Sequence, residues 1–317
     1  MNKYLESSDM DDYRVPIYWK NREERARHAQ EWHSLMKSIY KEQIENSISN
    51  TQIILEDHQL MHHDRDPVDT LIQVVNKTTV GAITMNKDYS NKKIAALNFA
   101  SYTSPGGKFM EGSGAQEESL CHNSTLYNVL EAFSNTYITH TMNGNRNLGL
   151  YSDDTLYSKD ILFFDENVVK ETKDIGLETP VLCDIITCAA PFTRNVLRYK
   201  RATLEECENA MRKRIRRILE IAVHNEVDIL ILGAFGCGVF GNNPKFVARA
   251  FADELHGEHI KNKFERVIFA VPSLTENDDT RHTFSFEFAS RLDYQFIRKD
   301  SDTDVTFQYF FNRHVAW

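Results

Sequence analysis

Residues 116–118 read Gln-Glu-Glu, and the adjacent carboxylates Glu117 and Glu118 are the foremost candidates for chemistry in the chain. They follow a loop that holds Gly106, Gly107, Gly112 and Gly114 together with Pro105. Glycine lets backbone come close to a ligand, and a helix start offers N–H groups with no partner in the helix. Acids placed there stand beside whatever that backbone holds, where a carboxyl kept in its acid form can protonate a leaving oxygen. The plainer account is that the helix macrodipole favours carboxylates in a first turn by roughly 0.3–1 kcal/mol. Taken singly, each glutamate reads as a cap.

The elements that must position these acids are an apolar, strand-like run over residues 93–100 and a helical pattern over 116–130. Leu120, Leu126, Tyr127 and Leu130 fall near one face of that helix. A second unit of the same kind comes late in the chain. A buried-type strand over 227–232 runs into GAFGCGVFGNNP, then a helix over 245–255 and a strand over 266–271. Its glycine string, Gly236-Cys237-Gly238-Val239-Phe240-Gly241, satisfies GxGxxG, the dinucleotide fingerprint. That fingerprint belongs to the first strand–helix turn and needs an acid at the end of the next strand, whereas RVIFAV ends in Pro272. No GK[ST] follows either, so no Walker loop is present. Cys237 has no histidine near it in sequence and reads as a small packing residue rather than a nucleophile.

Between and around these units the pattern alternates strand and helix, which implies an α/β layered fold. Helices are expected over 22–47, with Trp32, Leu35, Met36, Ile39, Tyr40 and Ile44 at core spacing, and over 78–85, capped by Thr78. Short strands are expected at 53–55, 71–75, 161–164 and 181–189, the last ending in Ala189-Ala190-Pro191. Residues 204–224 form an amphipathic helix with Met211, Ile215, Ile218, Leu219 and Ala222 inward. Its basic group, Arg212, Lys213, Arg214, Arg216 and Arg217, is surrounded by Glu205, Glu206, Glu208 and Glu220 and reads as a solvated face. Residues 1–14 are polar and loose, 136–157 form an irregular lid-like or binding stretch, and the aromatic-rich 283–317 fold back onto the domain.

Composition narrows the function. The 317 residues carry a net charge of −9, which argues against broad electrostatic binding to a nucleic-acid duplex. An anionic ligand remains possible, because backbone N–H groups of a glycine loop hold a diphosphate without basic side chains. No apolar run approaches the ~20 residues that span a membrane. The opening residues lack a secretory apolar core, and five cysteines without a CxxC pair suggest free thiols. The expected setting is cytoplasmic, or nuclear in a eukaryote. His62-His63 with Asp64 and Asp66 lacks a cysteine or a spaced third histidine, so no metal set is assigned.

The order NFAS, PGG, GxGAQEE, SxLY resembles the bacterial, or microbial-type, poly(ADP-ribose) glycohydrolases of the macrodomain superfamily. Their signature is a triple glycine followed six to eight residues later by QEE. Here Gly106-Gly107, the seven residues 109–115 and Gln116-Glu117-Glu118 match it, while Lys108 replaces the third glycine. ITCAAP and GAFGCGVFGNNP extend the likeness over roughly residues 70–275. The resemblance implies a macrodomain-like three-layer fold, with a mixed β-sheet between helices and an N-terminal helical extension. Residues 1–69 would be the extension and 70–317 the catalytic domain.

The resemblance further implies cleavage of O-glycosidic ribose bonds of poly(ADP-ribose) or ADP-ribosylated targets, without a metal or cofactor, by a monomer. Glu118 would be the general acid and Glu117 would hold the ribose hydroxyls. Asn98 would lie near the adenine end, and Gly106, Gly107 and Gln116 beside the ribose and diphosphate. Gly236, Gly238, Val239, Phe240 and Gly241 would wrap the diphosphate, with the Phe240 ring over the distal ribose and Gly238 in need of φ > 0. Lys108 is expected at φ < 0, with its ammonium at the pocket rim near the diphosphate. Two alternatives stay open: a non-hydrolytic ADP-ribose reader, favoured by Lys108, and a glycohydrolase that removes ADP-ribose from nucleic acid.

Overall fold

The computed structural model describes residues 21–61, 66–89, 91–137, 149–166, 179–273, 278–290, 294–299 and 304–309. Residues 1–14, His62, His63, Asp64 and the asparagine-rich 143–147 lie outside them.

Alternation of apolar side chains sets the layering. On strand β3 (Ile94–Phe99), Ala95 and Leu97 enter one core while Ile94 and Ala96 enter the other. Strand β6 (Ile229–Gly233) and strand β7 (Arg266–Ala270) divide in the same way: Leu230, Leu232, Val267 and Phe269 go to one side, Ile229, Ile231, Ile268 and Ala270 to the other. A strand apolar on both faces must be covered on both, so the sheet has helices on either side. One cover consists of α1 (Arg22–Ile39), α2 (Lys41–Asn50), α3 (Thr79–Thr84), α4 (Gln116–His122) and α5 (Leu126–Glu131), with Trp32, Val80, Leu120 and Val129 inward. Leu204–His224 (α7), Pro244–Glu254 (α8) and Thr280–Ala289 (α9) form the other, with Met211, Phe251 and Phe284 inward. Helix α6 (Thr193–Arg198) precedes α7 in the chain.

Among the described residues the sheet has nine strands in the order β1-β4-β5-β3-β6-β7-β2-β9-β8, completed by β1 (Gln52–Ile54), β2 (Thr70–Val75), β4 (Thr155–Phe163), β5 (Val181–Cys188), β8 (Tyr294–Lys299) and β9 (Val305–Tyr309). The middle five, β5-β3-β6-β7-β2, are parallel, and antiparallel pairs close both edges. The mixed sheet between helices is the expected three-layer arrangement. Because β3 and β6 are parallel neighbours, their C-terminal ends deliver both glycine loops to the same edge of the sheet, where open α/β sheets bind ligands. The tail returns as expected, with β9 pairing Phe307 opposite Ile72.

Three local readings change. The helix expected over 116–130 breaks at Asn123, Ser124 and Thr125. There Thr125 N–H donates to Leu162 O, Phe164 N–H to Asn123 O, and Ser124 Oγ to Leu120 O. Short polar side chains compete for backbone partners and so end a helix that its apolar spacing would continue. β4 begins at Thr155, not Ile161. Its polar middle, Ser158-Lys159-Asp160, is a bulge held where Asp160 N–H and Tyr157 Oη both donate to Asp184. Arg214 does not belong to a solvated face. It is buried, pairs with Asp153 and donates to the carbonyls of Ala189, Leu150 and Tyr151. It thereby ties the end of β5 to the segment before β4.

Candidate functional site

Glu117 and Glu118 are 3% and 7% exposed, far more enclosed than ordinary first-turn caps. Glu118 Oε2 accepts the Ala115 N–H at 3.0 Å, which is the capping contact, and Oε1 accepts the Lys108 N–H at 3.0 Å from the glycine loop. Glu117 Oε2 accepts the Ser101 N–H at 2.7 Å, and Oε1 accepts from Asn98 Nδ2 at 3.1 Å. The loop folds back over the helix start, so both acids are gripped by loop backbone, and Glu117 also by the Asn98 side chain of β3.

Gly107 is what lets the two carboxylates meet the loop. It sits at φ +62°, and a Cβ there would lie 2.6 Å from Glu118 Oε1 and 3.0 Å from Glu117 Oε2. Burial, then the neighbouring Glu118 charge, push the Glu117 carboxyl up to about 8, although the Ser101 and Asn98 hydrogen bonds oppose the shift. The folded chain therefore holds this proton above the pH at which an unfolded glutamate has lost it. Below about pH 4.5 both states are protonated and the stabilisation is fully present; it declines as pH rises towards 8. Thermal melts across this window should show stability falling with pH, and Glu117→Gln should flatten that slope.

The remaining site residues divide into cleft walls and internal supports. Gln116 borders the cleft, but its amide is fully engaged: Nε2 donates to Thr79 Oγ1 at 3.0 Å and Leu97 O at 2.9 Å, and Oε1 accepts Phe99 N–H at 2.8 Å. Asn98 is wholly buried against Glu117 and Thr187, so its amide supports the acid rather than facing an open adenine site. Lys108 takes φ −112°, as its side chain requires. Its ammonium is exposed and lies 3.8 Å from Glu111, which also pairs with Arg22 at 3.3 Å.

The second loop faces the first across a cleft of about 400 Å³, within the range of small-molecule pockets. Gly236, Gly238, Val239 and Phe240 line it opposite Ala115 and Gln116. The left-handed residues are Gly236 at φ +70° and Gly241 at φ +73°; Gly238 takes no such conformation, and a Cβ on it would meet nothing. The expected strain at Gly238 is thus misplaced. The turn is closed by Asn242 N–H on Gly236 O and Gly241 N–H on Gly238 O, which assigns positive φ to the flanking glycines. A Cβ at Gly236 would lie 2.6 Å from both Ala190 Cβ and Asn242 Nδ2. Gly236→Ala should weaken ligand binding in this cleft by about tenfold, the scale of a 1–2 kcal/mol left-handed penalty, and Gly238→Ala should change it little. Calorimetry on the two variants checks this order. Burial pushes the Cys237 thiol up to about 12, as suits a packing residue.

Sequence reading missed Thr79, Asn242, Arg214 and Tyr151. Tyr151 has φ +65° and stacks on Tyr102 with ring centroids 4.2 Å apart; Phe240 stacks on Phe192 at 4.8 Å. The signal for Arg214 was present, since it lies three residues after Met211 and beside Ile215 on the apolar face. Among the described residues, no helix is long and apolar enough to cross a membrane.

Two glycine loops on adjacent parallel strands, facing across one cleft, with a buried carboxylate pair on the helix that borders it, define a macrodomain-like α/β protein built for catalysis. The microbial-type PARG catalytic-domain family matches residues 26–166. Poly(ADP-ribose) glycohydrolase from Deinococcus radiodurans, solved in complex with ADP-ribose, is 31% identical over 78% of this chain and 97% of its own, with a TM-score of 0.69. The Thermomonospora curvata glycohydrolase is 28% identical over 84% of this chain and 100% of its own, with a TM-score of 0.73. Its complex with the inhibitor ADP-HPD gives 0.71 at the same identity and coverage. No curated protein matches the sequence. The chain belongs to the microbial-type poly(ADP-ribose) glycohydrolases, a family of glycoside hydrolases.

Proposed function

We propose that the chain hydrolyses the O-glycosidic ribose bond at the end of poly(ADP-ribose), with Glu118 as general acid. The observation that carries this reading is the buried pair Glu117–Glu118 packed against Gly107, on a helix whose Gln116 and Ser119 line the two-loop cleft. The bond breaks through an oxocarbenium-like state, and its leaving oxygen needs a proton. Burial holds the Glu117 carboxyl in its acid form near neutrality. Glu118 gives a proton to the leaving oxygen and then takes one from the attacking water. Glu117, fixed by Ser101 and Asn98, holds the adjoining ribose hydroxyls. Gly106 and Gly107 admit the ribose and diphosphate, and residues 236–241 wrap the diphosphate with Phe240 over the distal ribose.

The chain acts as a monomer, with residues 1–69 as an extension and 70–317 as the catalytic domain. In support, α1 braces the catalytic loop: Arg25 Nε donates to Gly112 O at 2.6 Å. All five cysteines are unpaired, which supports a reducing, cytoplasmic setting.

The test is release of free ADP-ribose from polymer, from modified protein and from modified nucleic acid. Polymer should be cleaved, and activity should survive exhaustive chelation, because the described residues include no group of three His, Cys, Asp or Glu placed to hold a metal. Activity lost to EDTA and restored by Mg²⁺ would overturn the metal-independent mechanism.

A further inference from the structure

Residues 194–201, RNVLRYKR, hold four cations and no acid in a chain of net charge −9. Arg194, Arg198, Lys200 and Arg201 are all exposed, and no carboxylate lies within ion-pair distance of them among the described residues. Elsewhere the basic residues near this face are compensated: Arg212 pairs with Asp253, Lys213 with Asp153 and Arg216 with Glu254. The nearest acids in sequence are Glu205, Glu206 and Glu208, and Glu206 is turned into the Thr203 cap of α7.

An aromatic ring sits within this charge. Tyr199 is 58% exposed, and the guanidinium groups of Arg198 and Arg201 lie 5.6 and 5.3 Å from its ring centroid. The chain fixes this presentation. Arg201 N–H bonds Val196 O and Lys200 N–H bonds Leu197 O, the two bonds of a Schellman close, with Lys200 at φ +50° in the left-handed position. The close ends helix α6 and turns residues 199–201 outward.

The patch is joined to the active cleft. Arg194 N–H donates to Phe240 O at 2.9 Å, and Arg194 Nη2 reaches Gly238 O at 3.4 Å. Phe192, two residues earlier, stacks on Phe240, which lies 6.3 Å from the Tyr151 ring. On the functional reading above, on which this inference rests, Phe240 marks the distal ribose and hence the scissile end. The basic segment therefore starts where the leaving part of the substrate must exit.

We propose that Arg198, Tyr199, Lys200 and Arg201 form a subsite for the ADP-ribose units on the leaving side of the scissile bond. Each such unit brings a diphosphate for the cations and an adenine whose face can stack on Tyr199, the pairing used by single-strand nucleic-acid grooves. The leaving chain is tethered to the bound terminal unit, so even weak contacts act at high local concentration. The subsite raises affinity for polymer without touching the bond that breaks.

The test compares wild type with Arg198→Ala/Lys200→Ala/Arg201→Ala and with Tyr199→Ala, each checked for an unchanged melting temperature. Turnover is read on long poly(ADP-ribose), and the terminal-unit site is read separately by calorimetric binding of free ADP-ribose. The expected result is a KM for polymer raised about tenfold in the triple variant at low salt, an unchanged kcat, and an unchanged Kd for free ADP-ribose. The salt dependence of polymer binding should flatten, since three cations no longer release counterions. Equal losses in both readouts, or none on polymer, would overturn the subsite. Loss of single-stranded DNA binding with polymer turnover intact would assign the patch to nucleic acid and overturn it equally. If wild type does not cleave polymer, the fault lies in the glycohydrolase reading, a result distinct from a patch that makes no difference.

Discussion

Replacing Glu118 with glutamine is expected to lower the turnover of poly(ADP-ribose) by about 10²–10⁴-fold while ADP-ribose still binds. Glutamine keeps the size of the side chain, and its carbonyl oxygen can accept one of the two N–H groups, from Ala115 and Lys108, that now grip the carboxylate. It has no acidic proton to give to the leaving oxygen. Calorimetry with ADP-ribose would show whether the cleft survives, and product release from polymer would show whether the chemistry does. Wild-type turnover in this variant would remove Glu118 from the mechanism. The matching Glu117→Gln variant separates the roles: a rise in KM exceeding the fall in kcat is expected of a residue that holds hydroxyls.

The second large effect is expected from a residue with no functional group. Gly107→Ala would put a methyl group 2.6 Å from Glu118 Oε1 and 3.0 Å from Glu117 Oε2, in a backbone conformation at φ +62°. The left-handed conformation alone disfavours alanine by about 1–2 kcal/mol, and the contacts force either the loop or both carboxylates to move. A displacement near 1 Å at a reacting group is enough for about a 10²-fold loss in rate. Turnover of Gly107→Ala should therefore fall by at least about that factor. The shift of pH dependence attached to Glu117 should move with it, because the carboxyl loses its packing. An active Gly107→Ala enzyme with the wild-type pH profile would mean that the acids do not depend on this glycine for their placement.

How far the site could be read in advance depends on which interactions are local. Glu117, Glu118 and both glycine strings were legible because their spacing along the chain is itself the structural device: strand, turn, helix start. The Thr78 cap was legible for the same reason, and its Oγ accepts the Gly81 N–H as a cap should. What escaped depends on residues far apart in the chain. Asn98 reads as a ligand group until Glu117 is seen against it. Arg214 reads as one of five surface cations until Asp153 and three carbonyls close around it. Gly238 carries the central position of its motif, but the turn closes through Asn242, and that bond gives the left-handed conformations to Gly236 and Gly241. Lys108 was read correctly in its backbone because the argument was local sterics. The partner of its ammonium, Glu111, lies one turn away.

Strand order also imposes a schedule on how the enzyme comes into being. β2 stands early in the chain, yet Leu71 lies opposite Arg266 on one side and Gln308 on the other. The two loop-bearing strands meet only when Ile94 finds Ile229, after the whole of β4, β5 and α7 has been laid down. Parallel pairings of such long range close late and slowly, since loop entropy must be overcome before any contact forms. During synthesis, then, the carboxylate helix is made well before the strand that completes its cleft. The nascent chain holds its acids without a catalytic pocket around them. Refolding from denaturant should recover helical signal first and ADP-ribose affinity last.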